Sequence, residues 1–264
     1  MIEVDNLSRF YGDFLAVDSV NFKIEKGEVV GLLGHNGAGK TTIMKMLTGY
    51  LEPSSGHINI DGLSIGSDTG LIQKKIGYLP ENCPVWPEMT VIDYLEYQAL
   101  LHKLNTSSIP KLISQAINKT ALQEKATASI QTLSRGYRQR VGVAQALLHM
   151  PDIIILDEPT NGLDPTQIHH MRDLIKELAE TSTIIVSTHV LQEVQAVCER
   201  VLIMRSGKLV TDSKISHLQA SSRLLLTIEN TNINVVDELK KINSVGNVEK
   251  KLDDNTIQVF QIET

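Results

Sequence analysis

The 264-residue sequence has only two cysteines, Cys83 and Cys198, far apart in the chain. Two thiols cannot make a disulfide framework, and no CxxC pair or Cys/His cluster points to zinc. They are expected as small buried or half-buried thiols in a reducing compartment. Positive charge is scarce: 25 Lys and Arg stand against 31 Asp and Glu, a formal charge of −6. That balance argues against a nucleic-acid partner held by bulk electrostatic attraction. No run approaches the roughly 18–20 uninterrupted apolar residues of a bilayer span. The opening Met1-Ile2-Glu3-Val4-Asp5 lacks the basic stretch and apolar core of a secretory leader. The expected location is the cytoplasm, with any membrane work done through a partner. Internal repeats and low-complexity tracts are also missing.

What remains is a composition near that of soluble globular proteins, 42% hydrophobic and 21% charged. The length suits one large domain or two small ones, with a sizeable core. Val20, Phe22 and Ile24 alternate with polar neighbours, as in a half-buried strand. Val29 to Leu33 is a short continuous apolar run, as in a strand buried on both faces. Gly56 to Gly62 reads as another strand. From Thr90 to His149 helical periodicity dominates, with helices expected around Val91–Leu101, from Pro110 through Ile117, and from near Gly136 to Leu148. Ile153 to Leu156 is the most apolar run. The helix expected from Pro165 to about Ala179 and the strand Ile184 to Ser187 follow it as a βαβ unit. A helix from Leu191 to Cys198 and a strand from Val201 to Met204 come next. Alternating strands and helices predict an α/β fold with a mostly parallel, covered sheet. From about residue 217 the texture changes. Strands at Leu224–Ile228 and Thr256–Ile262 flank a short amphipathic helix, Val235–Ile242, which reads as the cover of a small sheet.

Two segments carry chemistry. Gly34-His35-Asn36-Gly37-Ala38-Gly39-Lys40-Thr41 fits G-x-x-x-x-G-K-[ST], follows a buried strand and opens a helix. Glycines there let backbone N–H groups approach phosphate oxygens, and the helix N-terminus adds positive potential. Lys40 is positioned to neutralise β- and γ-phosphates, and Thr41 offers a hydroxyl to Mg²⁺. Asp157 and Glu158 end the apolar run. Side chains alternate along a strand, so these carboxylates are expected to point differently and divide two jobs. Asp157 would hold the Mg²⁺ shell and Glu158 would polarise a water. At ~4 Å such a pair repels by about 4 kcal/mol at an effective dielectric of 20, a repulsion that a bound cation relieves.

With the segments around them, these residues resemble the ATP-binding cassette (ABC) ATPase family over roughly residues 1–215. The most discriminating segment is Leu133-Ser134-Arg135-Gly136-Tyr137, similar to the family signature LSGGQ. Arg135 replaces its first Gly and Tyr137 its Gln, so Arg135 is expected to meet a glycine-like backbone geometry, and it could add charge near the phosphate.

The resemblance implies a P-loop NTPase core with an antiparallel β subdomain. It makes residues 1–216 the ATPase domain, with a helical insert at about 85–150, and leaves 217–264 as a small α+β accessory unit. It implies ATP and Mg²⁺ as cofactors, and a head-to-tail dimer in which Ser134 and Gly136 bind the γ-phosphate held by the other subunit. Nucleotide would be held by Gly34, His35, Asn36, Gly37, Ala38, Gly39, Lys40, Thr41 and Thr42, with Tyr11 stacking on adenine. Asp164, in Asn161-Gly162-Leu163-Asp164, would sit in the loop that crosses the dimer interface. Catalysis would rest on Glu158, His189 as the switch histidine, and Lys40. Mg²⁺ would be held by Thr41, Asp157 and Glu81, the last standing where the family usually has Gln.

The Glu81 variant, the altered signature and the C-terminal unit look like the branch serving small exporters with separate membrane permease subunits. The chain would then be a homodimer, or a heterodimer with a similar subunit, on the inner face of the membrane. The alternative is a soluble ABC ATPase of translation or DNA repair. Those usually carry two cassettes or a long coiled coil, and neither is present. A GTPase would need an NKxD segment, which is absent. Cys83-Pro84-Val85-Trp86-Pro87, with the only Trp, fits either loop packing or a flank of the groove that receives a membrane subunit. His169-His170 reads as solvated helix surface.

Overall fold

The computed structural model describes residues 1–219, 223–229, 235–242, 247–253 and 257–263. The chain divides into two compact units, Met1–Ile215 and Ser216–Thr264.

The first unit opens with a long hairpin, β1 (Ile2–Tyr11) and β2 (Phe14–Ile24), followed by β3 (Val29–Leu33) and helix α1 (Lys40–Leu47). Then come β4 (Ser55–Ile60), β5 (Leu63–Ser64), α2 (Thr69–Gln73) and β6 (Ile76–Leu79). Three helices follow: α3 (Val91–Leu101), α4 (Ile109–Lys119) and α5 (Arg135–Leu147). The unit closes with β7 (Ile153–Asp157), α6 (Pro165–Ala179), β8 (Thr183–Thr188), α7 (Leu191–Val197), β9 (Arg200–Arg205) and β10 (Lys208–Lys214). One sheet has the order β10-β9-β3-β8-β7-β6, parallel except at the β10 edge. The other is antiparallel, β2-β1-β4-β5.

Three cores explain the layers. Ile43, Met44, Met46 and Leu47 of α1 join the inner faces of the antiparallel sheet and one face of the parallel sheet. The opposite face of the parallel sheet packs on α5, α6 and α7 through Val143, Leu147, Met171, Leu178 and Val194. The helical insert has its own core around Tyr94, Leu95, Ile113, Ile117 and Ala144. Because α5 serves both the insert core and the sheet, it couples the two. Gly77 of β6 lies against it so closely that an added Cβ would run into the Ala146 carbonyl.

The alternation at Val20, Phe22 and Ile24 breaks at Val17, which is also buried. The reason is an irregularity in the β1–β2 register, where Ser19 takes a φ of 49°. The strand expected to reach Gly62 stops at Ile60, because Asp61 and Gly62 form a left-handed turn with φ of 52° and 81°. Strand β10 and helix α2 were not legible as elements. The β10 strand alternates exposed and half-buried positions, but Leu209 is the one large apolar residue on its inner face and Val210 points outward, so the apolar pattern does not mark a strand.

The second unit, with α8 (Ile215–Gln219) at its junction, carries β11 (Arg223–Glu229), α9 (Val235–Lys240), β12 (Val248–Asp253) and β13 (Ile257–Glu263) in a sheet of order β11-β13-β12. The tail helix stops at Lys240, short of the expected Ile242. Thr256, expected to open the last strand, lies outside the described residues. Strand β12, rich in charge (Val248-Glu249-Lys250-Lys251-Leu252-Asp253), was missed.

Candidate functional site

The carboxyl ends of β3, β8 and β7 lie side by side, with Leu33 opposite Thr188 and Asp157 opposite Ser187. A crevice outside strand ends is where open α/β sheets bind ligands. Here the loop after β3 turns back at once. Gly34 N–H donates to the Thr188 carbonyl at 3.2 Å and Ala38 N–H to that of His35 at 3.0 Å. Gly39 sits at the N-cap of α1 with φ of 104°, and a Cβ there would lie 2.7 Å from the Ala16 carbonyl. Only glycine meets both demands. No side chain caps the helix, so its first N–H groups remain free for an anion.

Lys40 is buried and donates from Nζ to the Gly34 carbonyl at 2.6 Å and to that of His35 at 3.4 Å. The same ammonium lies 3.2 Å from Glu158 Oε1. Glu158 Oε2 accepts from His189 Nδ1 at 2.9 Å, which places a proton on that nitrogen. One buried carboxylate therefore bridges the loop lysine and a half-exposed histidine.

The strand-alternation account of Asp157 and Glu158 needs correction. Asp157 ends β7, but Glu158 has left it with a left-handed φ of 49°. The two carboxylates differ in direction because the chain kinks between them. Asp157 is fully buried, with Oδ1 accepting from Ser187 Oγ, while Oδ2 has no hydrogen-bond partner. A buried, unsatisfied carboxylate oxygen calls for a donor or a cation. Hard oxygen donors of this kind fit Mg²⁺, which normally takes one or two carboxylates and completes its shell with phosphate and water. Among the described residues no cluster of three or more His, Cys, Asp or Glu could hold a metal alone. Tyr78 sits nearby. Burial, reinforced by the charges of Asp157, Tyr50 and Glu81, pushes its phenol well above the usual range, so it stays neutral.

A cleft of about 450 Å³ gathers residues 35–42 with Tyr11, Glu81 and Glu158. Tyr11 is half-exposed at the end of β1, under the Arg9 guanidinium at 5.2 Å. Phe14 and Ala16 line the same cleft and were missed. The Tyr11–Phe14 pairing across the hairpin turn was the available signal. Ser187, which fixes Asp157, was also missed.

Ser134, Gly136 and Asp164 do not line this cleft. Ser134 caps α5, accepting from Tyr137 N–H at 3.4 Å, and Asp164 caps α6, accepting from Gln167 N–H at 2.9 Å. The two caps are neighbours, since the Gln167 carboxamide packs on Gly136 and the Arg135 guanidinium on Gly162. Arg135 begins the right-handed helix and needs no glycine-like φ, contrary to expectation. Trp86 is 53% exposed with its ring 5.2 Å from that of Tyr97, so it is not core packing. His169 pairs with Asp173, and His170 with Arg140. Both thiols are free; burial pushes Cys83 up to about 11 and Cys198 up to about 12, so neither is a ready nucleophile.

The family model described as ABC transporter matches residues 17–161, more than half of the chain. The chain belongs to the ABC transporter family. It is an ATP-binding subunit and an ATPase, with the α/β fold class that the sequence predicted. The linearmycin resistance ATP-binding protein LnrL of Bacillus subtilis is 31% identical over 253 residues, covering 94% of this chain and 81% of that one. The bacitracin transport ATP-binding protein BcrA of Bacillus licheniformis is 36% identical over 234 residues, covering 87% and 74%. The solved dimer of the ATP-binding cassette MJ0796, in a post-hydrolysis state bound to ADP and Pi, superposes with a TM-score of 0.74 at 25% identity, covering 81% of this chain and 99% of that one. Among the described residues of the cassette, no helix is long and apolar enough to cross a membrane.

Proposed function

We propose that this cassette hydrolyses ATP at sites shared between two protomers and so drives separate membrane subunits of an exporter. Residues 1–216 form the ATPase domain, with the helical subdomain at about 85–150, and 217–264 an accessory region. The observation that carries the reading is the Glu158 carboxylate, held between Lys40 and His189 at the mouth of the phosphate loop. When ATP enters, the triphosphate competes for Lys40 and for the free N–H groups of α1, which releases Glu158 to polarise the attacking water. His189 and Lys40 then stabilise phosphate charge, and Tyr11 stacks on adenine. Asp157, Thr41 and Glu81 would hold Mg²⁺, which when bound neutralises β- and γ-phosphate charge. Most of the rate enhancement is positioning and electrostatics.

Ser134 and Gly136 stand outside the cleft, next to the Asp164 loop, as a second anion-binding helix terminus serving the partner's γ-phosphate. That division supports a head-to-tail dimer on the cytoplasmic face of a membrane subunit. The relatives tied by name to linearmycin resistance and bacitracin transport support export.

The test is ATPase activity per molecule as a function of protein concentration, with Ser134→Arg alongside. Activity should fall steeply on dilution, and the variant should fold but neither dimerise nor turn over. Constant activity down to strictly monomeric protein refutes the shared site.

A further inference from the structure

Behind Glu158 and His189 lies a carboxylate that the readings above leave without a role. Glu193 stands in the first turn of α7. Its Oε2 accepts from Thr160 Oγ1 at 2.5 Å and from Thr188 Oγ1 at 2.8 Å. Thr160 comes two residues after Glu158, and Thr188 immediately precedes His189. Both threonines are buried. Thr188 is further committed: its hydroxyl accepts from Val190 N–H at 3.1 Å, and its carbonyl from Gly34 N–H of the phosphate loop.

The bonding between β7 and β8 ends where Glu158 N–H donates to the Ser187 carbonyl at 3.1 Å. Past that bond the two segments are joined by the Glu158–His189 contact itself and, behind it, through Glu193. A single carboxylate oxygen thus fastens the chain leaving β7 to the chain leaving β8, at the points from which Glu158 and His189 project. Hydrogen bonds to an ionised acceptor are short and strong, which suits a tie that must hold geometry.

We propose that Glu193 is a positioning residue for ATP hydrolysis, setting the separation and aim of Glu158 and His189. The inference rests on the reading of Glu158 as the base. Glu193 does not line the nucleotide cleft, so its loss should act on turnover and not on binding. A displacement near 1 Å of a reacting group costs about 100-fold in rate.

The full chain carrying Glu193→Ala should lose about 10- to 100-fold in kcat, with ATP affinity, measured by titration calorimetry, unchanged. Glu193→Gln keeps one oxygen able to accept from both hydroxyls and should recover most of the loss. Thr160→Val removes one donor and should give a smaller kcat loss in the same direction. The pair Glu193→Ala with Thr160→Val should be no worse than Glu193→Ala alone, because both break one tie. Native kcat in Glu193→Ala overturns the proposal. So does a loss of kcat, ATP affinity and thermal stability in step that Gln fails to rescue, which marks Glu193 as a strut of the fold. Glu158→Gln in the same assay separates the premises. Turnover surviving there removes the base and with it what Glu193 aims. An inert Glu158→Gln beside an active Glu193→Ala overturns the positioning role alone.

Discussion

Glu158→Gln should do more than stop hydrolysis; it should widen the stability gap between the empty and the ATP-loaded chain. Lys40 Nζ lies 3.2 Å from Glu158 Oε1, with both side chains nearly inaccessible to water. Unit charges at that distance attract by about 5 kcal/mol at an effective dielectric near 20. Much of this is cancelled by the desolvation of two buried ions, yet removing one partner leaves the other uncompensated. Lys40 keeps the Gly34 and His35 carbonyls, so the net loss in the empty chain should be about 1–3 kcal/mol. For a unit of this size that is a fall in Tm of roughly 2–10 °C. With ATP present the ammonium has a phosphate partner, and the variant lacks the carboxylate that repels it. ATP affinity should therefore rise about 5- to 100-fold. Thermal unfolding with and without ATP, beside a steady-state phosphate-release assay, reads all three effects. An empty variant as stable as the native chain, with unchanged ATP affinity, refutes the ion-pair account. Normal turnover refutes the base.

Tyr11→Ala should weaken ATP binding by about 1–3 kcal/mol, the worth of one stacked base, and leave kcat at saturation intact; calorimetric titration with ATP checks it, and unchanged affinity removes the stacking role. Gly77→Ala places a Cβ into the Ala146 carbonyl and 2.9 Å from Pro151 Cγ, where no flexible side-chain end can give way. It should destabilise by about 2–3 kcal/mol, and an unaltered Tm would contradict the close packing of β6 on α5. The His149 imidazole is held down to about 4 by burial and then by the stacked His102 ring, 4.4 Å away. The folded chain keeps it neutral while the unfolded chain takes up the proton. Its contribution is therefore complete above pH 6.5 and is lost as the pH falls from 6.5 towards 4. Denaturant unfolding at pH 7 and 5 should differ by on the order of 2 kcal/mol, and His149→Gln should flatten that difference.

The phosphate loop and the helices of the insert were readable because their determinants are local. Glycine spacing, the break at Pro151-Asp152 and 3.6-residue periodicity each act within a few residues of where they are seen. Strand Ile153–Asp157 announced itself by being buried on both faces, whereas β10 and β12 carry no comparable apolar mark. The kink at Glu158 was invisible because it depends on a φ that Glu rarely adopts and on Ser187, far along the chain. Glu193 was missed for the same reason, since it meets Thr160 only after β7 and β8 are aligned, whereas Phe14, paired with Tyr11 across a short turn, lay within reach of local reading. The Cys83–Pro87 loop left two readings open, and its residues divide between them: Cys83 and Val85 pack against the cores, while Trp86 stays half-exposed.

The left-handed turn at Glu158 has a consequence for anyone evolving this protein. A side chain in that conformation carries about 1 kcal/mol or more of backbone tension, which glycine would relieve. Glycine or asparagine at position 158 would release that tension but forfeit the Lys40 ion pair, so a library sorted for heat resistance alone gains little from either.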